Sequence, residues 1–306
     1  MKTYEKKSTL DPKLFRVVDI YGEWEHYFDE ESGRYLRGVS SILHRGYAKG
    51  FGFYRAMQNL SAEEWERRLK AGGERGTALH EFVRAILDGN AFDRHLKIAV
   101  DHGDAFRELT IDEYLSALAW ARFWTLHDPL LVAHERPVKN LREGYAGTFD
   151  VILILRKKCG DRYCKCAAFL GKLGLWDLKT GPGIYDDHGP QIAAYANGDL
   201  TPIIGDRHIE YTAILNLNAN TDRGWKTEFY DEVATERHWQ EFLSAKCIDD
   251  ATYRHFNAEK EIYDIPETLN ITVEREAAPA GAPEPEKAKA KKRRTKKVTK
   301  SSKKAA

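Results

Sequence analysis

The sequence predicts an α/β fold, a mixed central sheet flanked by helices with a helical region before it, and three observations support that reading. Apolar residues recur at helical spacing through much of the first 127 positions. Three β-rich runs follow at 130–138, 145–155 and 173–180, bounded by glycines and charged turns. A helix, two further strands and a long amphipathic helix complete the order, which suits a sheet with helices packed on it.

The elements can be justified in turn. Residues 21–43 hold aromatic runs broken by Glu30, Ser32 and Gly33, the pattern of a hairpin, and Val39-Ser40-Ser41-Ile42-Leu43 then opens a helix. Ser61 and Glu64 form a capping box for a short helix ending at Lys70. The stretch 76–87 aligns Leu79, Phe82, Val83, Ile86 and Leu87 on one helical face. Thr110 and Glu113 repeat the capping box and start a helix that carries Tyr114, Leu115, Leu118 and Trp124 to about Leu126. Past the three strands, 190–197 reads as a helix, 209–217 and 225–230 as strands, and 234–257 as a helix bearing Trp239, Phe242 and Leu243. No internal repeat is visible.

A chain of 306 residues suffices for one large domain. It has no apolar run near the roughly 20 residues of a membrane span, and its N-terminus has no apolar signal core. The expectation is an intracellular, cytoplasmic protein with no membrane partner. The net charge of +1 conceals an asymmetry: eleven of the 48 Lys/Arg but one of the 47 Asp/Glu fall in 286–306, so the preceding residues carry −9. Residues 276–306, a Pro/Ala hinge and a lysine-rich run, are expected to be disordered, leaving 1–275 as a single domain with a hairpin and helical part (1–127) and a sheet core (128–275). The tail reads as an arm on nucleic-acid phosphates, a solubilising tail or a localisation signal.

Four short pieces point to one chemistry. Gly147-Thr148-Phe149-Asp150 sets an acid on a strand just after a glycine. In Trp176-Asp177-Leu178-Lys179 strand alternation aims Asp177 and Lys179 the same way and Leu178 into the core. Asp150 and Asp177 on neighbouring strands can share a hard divalent cation, Mg²⁺ or Mn²⁺, with the Leu178 carbonyl as a further oxygen ligand. Phosphodiester hydrolysis needs such a cation against the charge that builds on phosphoryl oxygens, and an ammonium beside it adds stabilisation. A D-x-K strand alone is more often a salt-bridged surface edge, but Leu175, Trp176 and Leu178 around Asp177 indicate a central strand, where an uncompensated acid is costly. Gln191 and Tyr195 share a helical face at i, i+4, which alone suits an ordinary amphipathic helix. His80, after Gly76, lies at the edge of an apolar stripe and reads either as a packed core residue or as a nitrogen ligand.

Taken in order, Gly76…His80, Gly147-x-x-Asp150, Asp177-x-Lys179 and Gln191-x-x-x-Tyr195 resemble the PD-(D/E)XK nuclease superfamily. Within it they resemble the RecB-type exonucleases, including phage and mitochondrial genome-maintenance members. Residues 35–43 also look like an N-terminal segment of the phage-type members, so the resemblance covers residues 20–230. It implies a restriction-endonuclease-like core. Asp150, Asp177 and His80 would be metal ligands, Lys179 the catalytic lysine, and Gln191 and Tyr195 would contact DNA or support the site. Glu135 matches a position often acidic in such enzymes and is taken as a supporting acid. Phe149 replaces the proline of the family's name, a position that is not a ligand. The implied activity is a Mg²⁺- or Mn²⁺-dependent DNA exonuclease of recombination, replication or end-processing, with proteins of those processes as partners and the host cytoplasm as its place if phage-encoded. The alternatives are an endonuclease of restriction or CRISPR-adaptation type and a non-catalytic DNA-binding module.

Cys159, Cys164 and Cys166 fall between the Asp150 and Asp177 strands. The default reading is free thiols on an extended hairpin, with neither zinc nor an iron–sulfur cluster expected. A structural zinc would need a fourth ligand from Cys247 or a histidine. The iron–sulfur pattern that the resemblance suggests, with cysteines bracketing the core, is not met.

Overall fold

The computed structural model describes residues 6–8, 13–17, 26–89, 95, 97–100, 105–161, 164–217 and 223–253. The chain divides into two units, Met1–Ile265 and Pro266–Ala306, of which the second, with the lysine-rich tail, lies outside the described residues. The strands are β1 (Lys6–Ser8), β2 (Leu14–Val17), β3 (His26–Asp29), β4 (Arg34–Gly38), β5 (Lys97–Val100), β6 (Ala105–Glu108), β7 (Leu130–Asn140), β8 (Tyr145–Ile154), β9 (Leu173–Lys179), β10 (Tyr211–Asn216) and β11 (Lys226–Tyr230). The helices are α1 (Val39–Gly46), α2 (Phe51–Gln58), α3 (Ala62–Leu87), α4 (Ile111–His127), α5 (His188–Ala196), α6 (Thr201–Ile204) and α7 (Glu232–Tyr253).

Nine of these strands form one mixed sheet in the order β1-β2-β3-β4-β8-β9-β10-β11, with β7 also paired to β8, while β5 and β6 pair apart. The β4–β8 and β9–β10 pairs are parallel and the other pairs of this sheet antiparallel. The middle strands are buried on both faces, which is why β8 and β10 read as near-continuous apolar runs. Leu79, Phe82 and Val83 of α3, with Trp120 and Phe123 of α4, pack on Val151, Leu153, Trp176, Leu178 and Leu215. Against the other face, Ile42 of α1, Ile192 and Tyr195 of α5 and Phe242 of α7 cover Phe149, Ile152, Leu175 and Ile214. Each such side chain, fully buried, contributes about 1.5–3 kcal/mol.

The mixed α/β sheet flanked by helices is as expected, but three details differ. First, α3 is one helix, not a short helix to Lys70 followed by another from Gly76. Its interior glycines each cost about 1 kcal/mol against alanine, too little to break a helix anchored by packing at Leu79, Phe82 and Val83. Ser61 does cap it, accepting from the Glu64 N–H, yet the Glu64 carboxylate turns to Arg67 and Arg68 instead of closing the box. Second, the N-terminal strands are part of the central sheet: Arg37 and Gly38 of β4 pair with Tyr145 and Ala146. Third, the cysteine-bearing link between β8 and β9 carries a 3₁₀ helix, Lys165–Phe169.

The N-terminal strands are also tied to the last helix. Arg37 of β4 donates from Nε and Nη2 to the two carboxylate oxygens of Asp249 on α7, at 3.0 and 3.1 Å, and both side chains are buried. Removing one partner of a buried pair strands the other charge in a dry interior. Asp249→Ala is therefore expected to cost about 3–5 kcal/mol of unfolding free energy, read by denaturant titration; a loss below about 1 kcal/mol, the range of exposed pairs, would refute a structural role for the pair.

Candidate active site

Strand β8 has two partners along one edge. Tyr145 and Ala146 pair with β4, Val151–Ile154 pair with β9, and Gly147-Thr148-Phe149-Asp150 fills the interval. The β8–β9 ladder stops at Val151 and Trp176, one step before Asp150 and Asp177 would face each other. Beyond that point the Leu178 N–H donates to Asp150 Oδ2 at 2.6 Å. The carboxylate thus takes over a backbone donor where the ladder ends, which holds the acid side chain in place.

On the other edge, Glu135 of β7 lies between the His134–Val151 and Arg136–Phe149 pairs, opposite Asp150. Its φ is +49°, a left-handed backbone that costs a non-glycine residue about 1–2 kcal/mol. The alternation of β8 slips here as well: Phe149 and Ile152 face one helical layer, Val151 and Leu153 the other. A local kink of this kind re-aims side chains. From α3, His80 Nδ1 lies 2.9 Å from Glu135 Oε1 and 3.7 Å from Asp150 Oδ1.

The donor atoms of His80, Glu135 and Asp150 lie within 4.8 Å of one another. Of the metal ligands anticipated in the sequence, His80, Asp150, Asp177 and the Leu178 carbonyl, this group contains His80 and Asp150. Asp177 lies outside it and turns to Lys179, whose Nζ is 2.5 Å from Oδ2. Asp177 and Lys179 do share a side of β9, with Leu178 in the core. Glu135, anticipated as a supporting acid, is a full member of the tight group.

Burial, above all, pushes the Asp150 carboxyl well above the usual range, the charges of Asp177 and Glu135 adding to it and those of His80 and Lys179 opposing. For His80, burial works against the charged ring, but Asp150 and the hydrogen bond to Glu135 outweigh it and lift the imidazole to about 9. Asp177 is 1% exposed, and its Oδ2, though in ion contact with Lys179, accepts no aligned hydrogen bond. Two carboxylates and one imidazole so close together, with the buried Asp177 oxygen beside them, fit an oxygen-preferring divalent cation that tolerates one nitrogen, Mg²⁺ or Mn²⁺.

Helix α5 closes the site from the other layer. Gln191 Nε2 donates to the Tyr195 hydroxyl at 3.0 Å. Burial, followed by the charge of Asp177, holds that phenol well above its ordinary range. The Tyr195 ring lies against Gly147, where a Cβ would sit 2.5 Å from Cε1. That close approach gives a physical reason for the glycine of the Gly-x-x-Asp motif. Gly76, by contrast, faces open space. His188, which the sequence reading passed over, is kept neutral: burial first, and then the nearby Lys179, lower it to about 4. Its Nδ1 accepts from the Tyr185 N–H, and next to it Lys49 pairs with Asp187 at 2.9 Å. Only its place near the start of α5, on the first turn after the D-x-K strand, could have flagged it.

Cys159, Cys164 and Cys166 come together on the β8–β9 link, with Sγ of Cys159 and Cys166 3.7 Å apart and no disulfide. Burial pushes the Cys164 thiol up to about 12. Cys247 is exposed on α7 and takes no part.

No family model matches the chain, and no curated protein matches it. Among solved structures it aligns with an alkaline exonuclease from Laribacter hongkongensis at 10% identity and a TM-score of 0.29, over 72% of this chain and 93% of that one.

The positive φ of Glu135 predicts a trade-off. Glu135→Gly removes a strained backbone and one of three crowded acids, so the melting temperature of the chelator-treated protein should hold or rise, while affinity for Mn²⁺ falls. A stability loss beyond about 2 kcal/mol would show that Glu135 is there for packing and not for the site.

Proposed function

We propose that the chain is a metal-dependent DNA nuclease of the PD-(D/E)XK kind, acting as an exonuclease at DNA ends in recombination, replication or end-processing. The observation that supports it best is the convergence at the β8 fork: His80, Glu135 and Asp150 within 4.8 Å of one another, with the D-x-K pair on the adjoining strand. A divalent cation held there would supply charge against the phosphoryl oxygens and acidify a water.

The chain's own groups have separable tasks. His80, Glu135 and Asp150 would hold the cation, and the Leu178 N–H keeps the Asp150 carboxylate in position. Lys179, partly open to solvent, would present its ammonium to the scissile phosphate while Asp177 restrains it. Tyr195 supports Gln191, whose amide would meet the substrate backbone. Residues 1–285 carry a net charge of −9, so the lysine-rich segment would serve as an arm on the phosphates.

The test is Mg²⁺- or Mn²⁺-dependent degradation of end-labelled linear DNA. Asp177→Asn and Lys179→Ala should each slow it by about 10²–10³-fold, and closed circular DNA should survive. Equal activity in the variants would sink the assignment, cutting of circles would make the enzyme an endonuclease, and metal-independent binding without cleavage would leave a binding module.

The raised His80 and Asp150 values give a pH prediction with a definite sign. Both groups hold a proton more tightly folded than unfolded, so folding takes up protons and stability falls as pH rises. For His80 the contribution is complete below its unfolded value of 6.5 and lost through about 9. The melting temperature in chelator should therefore decline between pH 6.5 and 9, and saturating Mn²⁺ should flatten the decline by taking the proton's place. A flat profile in chelator would contradict the charge arrangement described above.

A further inference from the structure

Away from the β8 fork, the end of α4 meets the link between β8 and β9. His127 is the last residue of α4, and its ring is fully buried. Nδ1 bonds the Phe123 carbonyl at 3.0 Å, whereas Nε2 is buried and has no hydrogen-bond partner. The donor atoms of His127, Cys159, Cys164 and Cys166 all lie within 4.8 Å of one another. We propose that these four residues form a structural zinc site, Cys₃His, that fastens the end of α4 to the β8–β9 link.

Each part of the geometry suits one tetrahedral ion. With Zn–S near 2.3 Å, two thiolates on one zinc stand about 3.8 Å apart, and Cys159 and Cys166 are 3.7 Å apart. An imidazole that donates one N–H to a carbonyl fixes the tautomer and leaves the other nitrogen's lone pair for a metal, the usual outer arrangement of a histidine ligand. For His127 the carbonyl is that of Phe123, one turn back on the same helix.

The surroundings hold the donors in place. Arg156 and Lys157 donate their N–H groups to the His127 carbonyl, and both side chains pair with Asp128, the left-handed residue that ends α4. Zn²⁺ with three thiolates carries one net negative charge, and Arg223, paired with Asp161, lies within electrostatic reach of Cys159 and Cys164. All four places are taken by protein, as in a structural zinc and unlike a catalytic one. The sequence supplied three thiols in a short run; the fold adds the fourth ligand from a helix that ends well before them.

The experiment uses the full chain, purified without chelator after growth with added zinc. Mass spectrometry of the metal should find one zinc per chain. Asp150→Asn should keep it, because it alters the other cluster, while Cys166→Ser and His127→Asn should lose it. The wild type reconstituted with Co²⁺ should show a thiolate-to-cobalt charge-transfer band and the strong visible bands of a tetrahedral site, a reading that stands even if the variants fail to fold. Zinc near zero in the wild type, zinc that leaves with Asp150→Asn, a cobalt form without the charge-transfer band, or iron with acid-labile sulfide would each overturn the proposal.

Discussion

A backbone N–H that leaves a β-ladder in a dry interior needs another acceptor, and the Leu178 N–H has Asp150. Most of the site depends on that one bond. It lets β8 part from β9 beyond Val151 and Trp176 without leaving an unsatisfied donor, and it fixes an acid in the gap so formed. The gap exists because β8 divides one edge between β4 and β9. The N-terminal strands are therefore not an appendage to the sheet, since they supply one side of the fork. The buried Arg37–Asp249 pair ties that side to α7.

The fork also concentrates charge. Glu135 arrives from the opposite edge on strained backbone, Asp150 sits in the interval, and Asp177 is almost fully buried one strand away. Low-dielectric surroundings make three neighbouring acids mutually unfavourable, and only His80 and Lys179 offset them within the group. Backbone strain and crowded like charges are held in place by the packed helical layers on both faces of the sheet. This is a costly arrangement for stability alone, and the cation proposed above would offset that cost.

Much of this was readable in the residues. The two-residue period placed Asp177 and Lys179 on one side of β9 and Leu178 in the core. Capping signals marked the start of α3 and α4. What could not be read was long-range or conformational. Glycines in the middle of α3 look like a break until the packing of its second half is known. The left-handed backbone of Glu135 has no signature in a residue that favours no such conformation, so its place beside His80 was understated. The pairing of β4 with β8 joins segments far apart in sequence. A histidine was one option for a fourth ligand, but nothing in the sequence picks out His127, and only the fold brings its ring to the three thiols.

The contact of Gly147 with Tyr195 bears on how the protein can change. A Cβ at 147 would occupy the space of the tyrosine ring edge, and that ring in turn supports Gln191. The two positions are thus coupled in the genetic sense. An alanine at 147 should be tolerated only beside a smaller residue at 195, and shrinking 195 first would open a void that 147 alone is too small to fill. A mutational path that visits either single change must cross a fitness valley, so this strand–helix contact should drift as a pair or stay as it is.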